Sequence, residues 1–86
     1  MYLAKIYVTY KPSILDPKGE TVKDALHRLD YQAVSDVVMG KYFEIKIAND
    51  NESDVRKMVE AFSQQLLINV NMEVFRYELI ALSTAV

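Results

Sequence analysis

Residues 15–26 read Leu15-Asp16-Pro17-Lys18-Gly19-Glu20-Thr21-Val22-Lys23-Asp24-Ala25-Leu26, an extended segment that turns directly into a helix. Pro17 sets its own φ near −65° and disfavours helical geometry at Asp16, whose carboxylate suits a helix start. Gly19 tolerates a positive φ or a close approach of backbone. Helical spacing begins at once, because Val22, Ala25, Leu26 and Leu29 recur at i, i+3, i+4 and i+7 and so share a face.

Working outward, residues 2–10 (YLAKIYVTY) are β-branched and aromatic, with an apolar row at the even positions, and read as a first strand. After the helix, 34–39 and 42–47 are two strand-like runs separated by Gly40-Lys41, the composition of a hairpin turn. In the second run Phe43, Ile45 and Ile47 alternate with Tyr42, Glu44 and Lys46. Residues 48–54 supply capping and acidic side chains for a second helix, whose stripe is Val55, Met58, Val59, Phe62 and Leu66. Residues 70–82 are extended again, with Phe75, Tyr77, Leu79 and Ala81 on one face and Met72, Val74, Ile80 and Leu82 on the other.

The expected fold is therefore α+β, in the ferredoxin-like order β-α-β-β-α-β, with two helices on one face of a four-stranded antiparallel sheet. Eighty-six residues make one domain, 1–86, with a small core, yet 51% of the residues are hydrophobic. Two helices cover only one sheet face, so the apolar residues on the other predict a dimer or tetramer that associates through the sheet.

The chain has no cysteine, which removes disulfides, thiolate nucleophiles and cysteine metal sites, and a single histidine, His27, which reads as a helix-surface residue. Its two glycines, Gly19 and Gly40, lie too far apart for a phosphate-binding loop. Asp50, Glu52 and Asp54 do not continue into a calcium-ligand series and read as a solvated cap. Twelve acidic and ten basic side chains, interspersed, give a net charge of −2 and no basic footprint for nucleic acid. The N-terminus has no signal-peptide pattern and no apolar run of membrane-spanning length, so the expected location is the cytoplasm.

Lys11, the Leu15-to-Gly19 corner, Val22…Ala25-Leu26, Gly40-Lys41-Tyr42-Phe43-Glu44, Leu66-Leu67-Ile68-Asn69 and Phe75-Arg76-Tyr77-Glu78 occur in one order over nearly the whole chain. In that order they resemble the PurS family, the small subunit of phosphoribosylformylglycinamidine synthase. Family members often carry Asn-Pro where this chain has Asn69-Val70, and an acidic residue where it has Val74 before Phe75. The resemblance implies a non-catalytic subunit of a purine-biosynthetic ligase that makes formylglycinamidine ribonucleotide from formylglycinamide ribonucleotide, ATP and glutamine. It implies two protein partners, a large synthetase subunit and a glutaminase subunit, which the small subunit bridges while helping ammonia pass between them. No cofactor is expected in this chain; ATP and magnesium are expected in the large subunit. Asp16, Pro17, Gly19, Gly40, Lys41, Tyr42 and Asn69 are the candidate structural or partner-contact residues, and no catalytic residue is expected. Two other functions use the same element order. An ACT-like regulatory module would bind a small molecule at the loop bearing Gly19, and an acylphosphatase would need a phosphate-holding arginine at the first corner, where there is none.

Overall fold

Period-two alternation governs the sheet. The computed structural model describes residues 1–12 and 14–82, and its elements are β1 (Tyr2–Tyr10), α1 (Pro17–Arg28), β2 (Lys41–Ile47), α2 (Glu52–Phe62) and β3 (Glu73–Ala81). The strands form one antiparallel sheet in the order β2-β1-β3. Tyr2 pairs with Ile47 and Ala81, and Val8 with Lys41 and Phe75. The even residues Ala4, Ile6 and Val8 are fully buried beneath Val55 and Val59 of α2, and these five make up the buried apolar core. Phe43, Ile45 and Ile47 on β2, and Phe75, Tyr77 and Leu79 on β3, flank that core and are half-buried.

Asn51 caps α2, accepting the Asp54 N–H at 3.1 Å, in line with the capping role read from residues 48–54. Beyond Phe62 the helix widens into a π turn, Ser63–Leu67, closed by the Ile68 N–H on the Ser63 carbonyl at 3.0 Å. The extra residue in that turn advances the buried stripe by one position. Leu66, expected inward, is 80% exposed, and Leu67 packs against the core in its place.

The described residues also depart from the expected four-stranded sheet. Residues 34–39 form no strand, and Gly40-Lys41 makes no hairpin turn; the chain runs straight from Met39 into β2. The long excursion 11–40 therefore connects two neighbouring antiparallel strands. Consequently α1 does not lie on the sheet, and none of its residues joins the core cluster. It leans instead on the segment that follows it. Asp30, at φ 76°, ends α1 in a Schellman motif, with its N–H on the His27 carbonyl and the Tyr31 N–H on that of Leu26. His27 is half-buried rather than a free surface residue, its Nε2 lying 2.7 Å from the Val34 carbonyl oxygen. The result is a flat, elongated molecule of 51 × 32 × 15 Å.

Candidate functional site

The corner is held by one carboxylate. Asp16, 8% exposed, caps α1 by accepting the Gly19 N–H on Oδ1 at 3.0 Å, and it accepts the Met39 N–H on Oδ2 at 2.7 Å. It thus ties the start of α1 to the residue two places before β2, 23 positions along the chain. Pro17 occupies the first turn of α1, where its missing N–H costs nothing. Gly19 does not have the positive φ that the sequence allowed; no glycine does. Its requirement is close approach: a Cβ there would stand 2.1 Å from the Val37 carbonyl oxygen. The space at Gly19 is filled by the chain's own backbone. Gly40 is pressed against β1 in the same way, with a Cβ position 2.3 Å from the Val8 carbonyl oxygen.

The Gly19 N–H foremost, and then that of Met39, hold the Asp16 carboxyl below its ordinary pKa. A lowered folded pKa contributes stability above the unfolded value, near 3.8, that disappears as the pH falls through the folded one. Asp16→Asn leaves one of the two N–H groups facing an amide NH₂ and removes the titrating group. The expected outcome is a variant less stable than the parent at neutral pH, with the difference shrinking below about pH 4. Urea midpoints measured across the acid range check this; a difference independent of pH would show that the two hydrogen bonds do not need the charge.

Lys41 and Asn69 meet through a residue that sequence reasoning missed. Glu73, its side chain only 12% exposed, accepts the Asn69 N–H on Oε1 at 2.8 Å and lies 3.6 Å from Lys41 Nζ through Oε2. Asn69 Oδ1 in turn accepts the Asn71 N–H at 3.0 Å, and the Lys11 N–H donates to the Met72 carbonyl at 2.8 Å. The signal was available, because an acidic residue four places after Asn69 at the head of a strand suits a turn-closing acceptor. Tyr10, Asp16, Lys18, Met39, Gly40, Lys41 and Glu73 line a cleft of about 80 Å³. The corner, the start of β2 and the Asn69 turn, separate in sequence, thus gather at one end of the sheet.

Tyr42 lies just beyond, on the sheet face opposite α2. Its O–H donates to Glu44 Oε2 at 2.7 Å, which pushes its pKa up to about 12. Its ring sits 5.0 Å from that of Tyr7, which carries the Arg76 guanidinium 4.0 Å above it. That face is aromatic and charged together, with Val74 and Ile80 part-exposed at its margin. The described residues contain no group of three metal-ligating side chains, and no helix is long and apolar enough to cross a membrane.

The family model described as PurS, phosphoribosylformylglycinamidine (FGAM) synthase, matches residues 3–81. The chain is 42% identical over 78 residues to the PurS subunit of phosphoribosylformylglycinamidine synthase of Bacillus subtilis (strain 168), covering 91% of this chain and 92% of that one. The solved structure of B. subtilis PurS in its C2 crystal form superposes with a TM-score of 0.86 at 41% identity, over 94% of this chain and 100% of the other. A chain in the structure of PurLQS from Thermotoga maritima shares the fold, with a TM-score of 0.81 at 21% identity over 93% of this chain and 99% of that one.

Proposed function

Because the chain belongs to the PurS family, as a subunit of phosphoribosylformylglycinamidine synthase in purine biosynthesis, we propose that it acts as a structural bridge between the large synthetase subunit and the glutaminase subunit and helps ammonia pass between them. The observation that carries this reading is the polar end of the sheet. Asp16 holds Gly19 and Met39 by two hydrogen bonds on one side, and Glu73 holds Asn69 by a hydrogen bond and Lys41 by an ion pair on the other. Such an end offers a partner a pre-ordered surface, which lowers the ordering cost of association.

The chain brings no reaction of its own in this reading. It has no cysteine for glutamine hydrolysis, and both of its glycines are engaged by backbone rather than free to cradle phosphate. ATP and magnesium belong to the large subunit, this chain holds no cofactor, and the complex works in the cytoplasm. The chain acts as one domain, 1–86, and associates with itself as a dimer or tetramer through the face that carries Tyr7, Tyr42 and Arg76. The presence of a chain of this fold in a structure of PurLQS supports protein partners.

The test is glutamine-dependent product formation by a reconstituted three-component mixture. Leaving this chain out should abolish it, while free ammonia should still support synthesis by the large subunit to the extent that subunit folds alone. Lys41→Glu, which sets a second carboxylate beside Glu73, and Asn69→Trp should each weaken the glutamine-dependent reaction while the isolated chain stays folded and self-associated. Full glutamine-dependent activity without this chain would remove the bridging role.

A further inference from the structure

The end of β1 and the lobe formed by residues 16–39 together line a cavity of about 610 Å³ to which the bridging role assigns no task. Sites for small molecules run from about 300 to 1,000 Å³. The walls of this one are tied in place. Lys11 donates its N–H to the Met72 carbonyl at 2.8 Å and accepts the Ile14 N–H on its own carbonyl at 2.9 Å. On the lobe, the seating of the Val37 carbonyl on Gly19 and the clasp of Asp16 on the Met39 N–H hold residues 37–39. Leu15 and Val38, 71% and 58% exposed, add apolar wall.

The charges lining the cavity are Lys11, Asp16, Glu20 and Asp36. Asp16 has both oxygens engaged, on the Gly19 and Met39 N–H groups. Glu20 has both on Lys23 Nζ, at 3.4 and 3.1 Å. Asp36 uses only Oδ1, which accepts the Val37 N–H at 3.0 Å. Among the described residues Asp36 Oδ2 accepts no hydrogen bond, and Lys11 Nζ forms no ion pair with any carboxylate. One cation and one carboxylate oxygen are therefore unmet in the same cavity, and they do not meet each other. An anion bound there would pair with Lys11 but face three carboxylates. A simple cation would leave Lys11 unmet. A molecule with an ammonium and a carboxylate on one carbon satisfies both poles at once, through charge-assisted hydrogen bonds.

We propose that this cavity binds a free α-amino acid with an apolar side chain, its carboxylate on Lys11 Nζ, its ammonium on Asp36 Oδ2 and its side chain against Leu15 and Val38. Such a site is a second capacity of the chain, separate from bridging. It needs no partner subunit and can be tested on the protein alone.

The probe is L-leucine, titrated into the isotope-labelled chain while backbone amide shifts are followed. Saturable shifts confined to the amides of residues 9–16 and 36–38 are expected, with a Kd of about 1 mM or tighter. Two analogues each lack one pole: 4-methylpentanoate has no ammonium, and 3-methylbutylamine has no carboxylate. Each should bind at least about tenfold more weakly than leucine. Lys11→Gln should weaken leucine binding by a similar factor and abolish its advantage over the amine. Asp36→Asn, which keeps an acceptor for the Val37 N–H, should weaken it likewise and abolish its advantage over the acid. Lys46→Gln, outside the cavity, should change nothing. No saturable shift at about 10 mM leucine, ten times the expected limit, would overturn the proposal. Equal binding of leucine and either analogue by the unaltered chain would also overturn it, since one pole alone would then suffice. Neither result touches the bridging role, which the three-component reaction tests.

Discussion

Ile6→Ala should cost about 2–5 kcal/mol of unfolding free energy, the usual range when a buried branched side chain is cut back and its space is not refilled. Ile6 is fully buried at the middle of the central strand, paired with Phe43 on one side and Tyr77 on the other, under Val55 and Val59. Among the described residues, the five fully buried apolar ones form a single cluster, with no second to absorb the loss. A chain of this length has about 4–13 kcal/mol in total, so one truncation removes a large part of it. The urea midpoint should fall with the slope unchanged, which identifies loss of stability rather than a change in the unfolded state. Leu66→Ala is the matched control. At 80% exposure Leu66 should lose less than about 0.5 kcal/mol, although helical periodicity places it in the core. Equal losses at Ile6 and Leu66 would contradict the buried stripe described here.

That pair of residues shows where sequence reading works and where it stops. The strands were legible because side-chain direction in a strand depends only on parity, and Ala4, Ile6, Val8, Phe43, Ile45, Phe75, Tyr77 and Leu79 all face the side their alternation predicts. The corner was legible for a similar reason, since Asp16 and Pro17 act over one helical turn. The π turn was not. Inserting one residue into a helix is decided by how Ser63 and Leu67 pack against the sheet, and nothing in residues 63–67 announces it.

The position of α1 was illegible for a deeper reason. Its face, its caps and the strand-like run at 34–39 are the same whether the chain reverses at Gly40 or runs straight on, because the two closures use the same local contacts. What decides between them is long-range: the seating of Gly40 against Val8 and the reach of Asp16 to Met39. The site residues divide along the same line. Asp16, Gly40, Lys41 and Asn69 could be picked out singly, but their gathering at one end of the sheet depends on Glu73, which touches both Lys41 and Asn69.

Gly19→Val should destabilise the lobe by about 1–3 kcal/mol, the cost of forcing extra atoms into a filled space, and should do so without unfolding the sheet. The introduced Cβ would meet the Val37 carbonyl oxygen at 2.1 Å and the Asp16 side chain at 3.0 Å. A flexible loop would move aside, but residue 37 lies two places from Met39, whose N–H is held by Asp16, so backing away strains the clasp that closes the lobe. Helix propensity acts in the opposite direction, since valine is a better helix former than glycine by a few tenths of a kcal/mol, too little to offset the collision. Because α1 contributes nothing to the core cluster, its opening is not coupled to the burial of Ile6 and Val8. Amide hydrogen exchange separates the two regions. Protection should fall along 17–28 in Gly19→Val and persist in β1, whereas Ile6→Ala should lower it in the sheet. If Gly19→Val left exchange in α1 unchanged, Val37 would have room to yield, and the close approach would not be what the corner requires of residue 19.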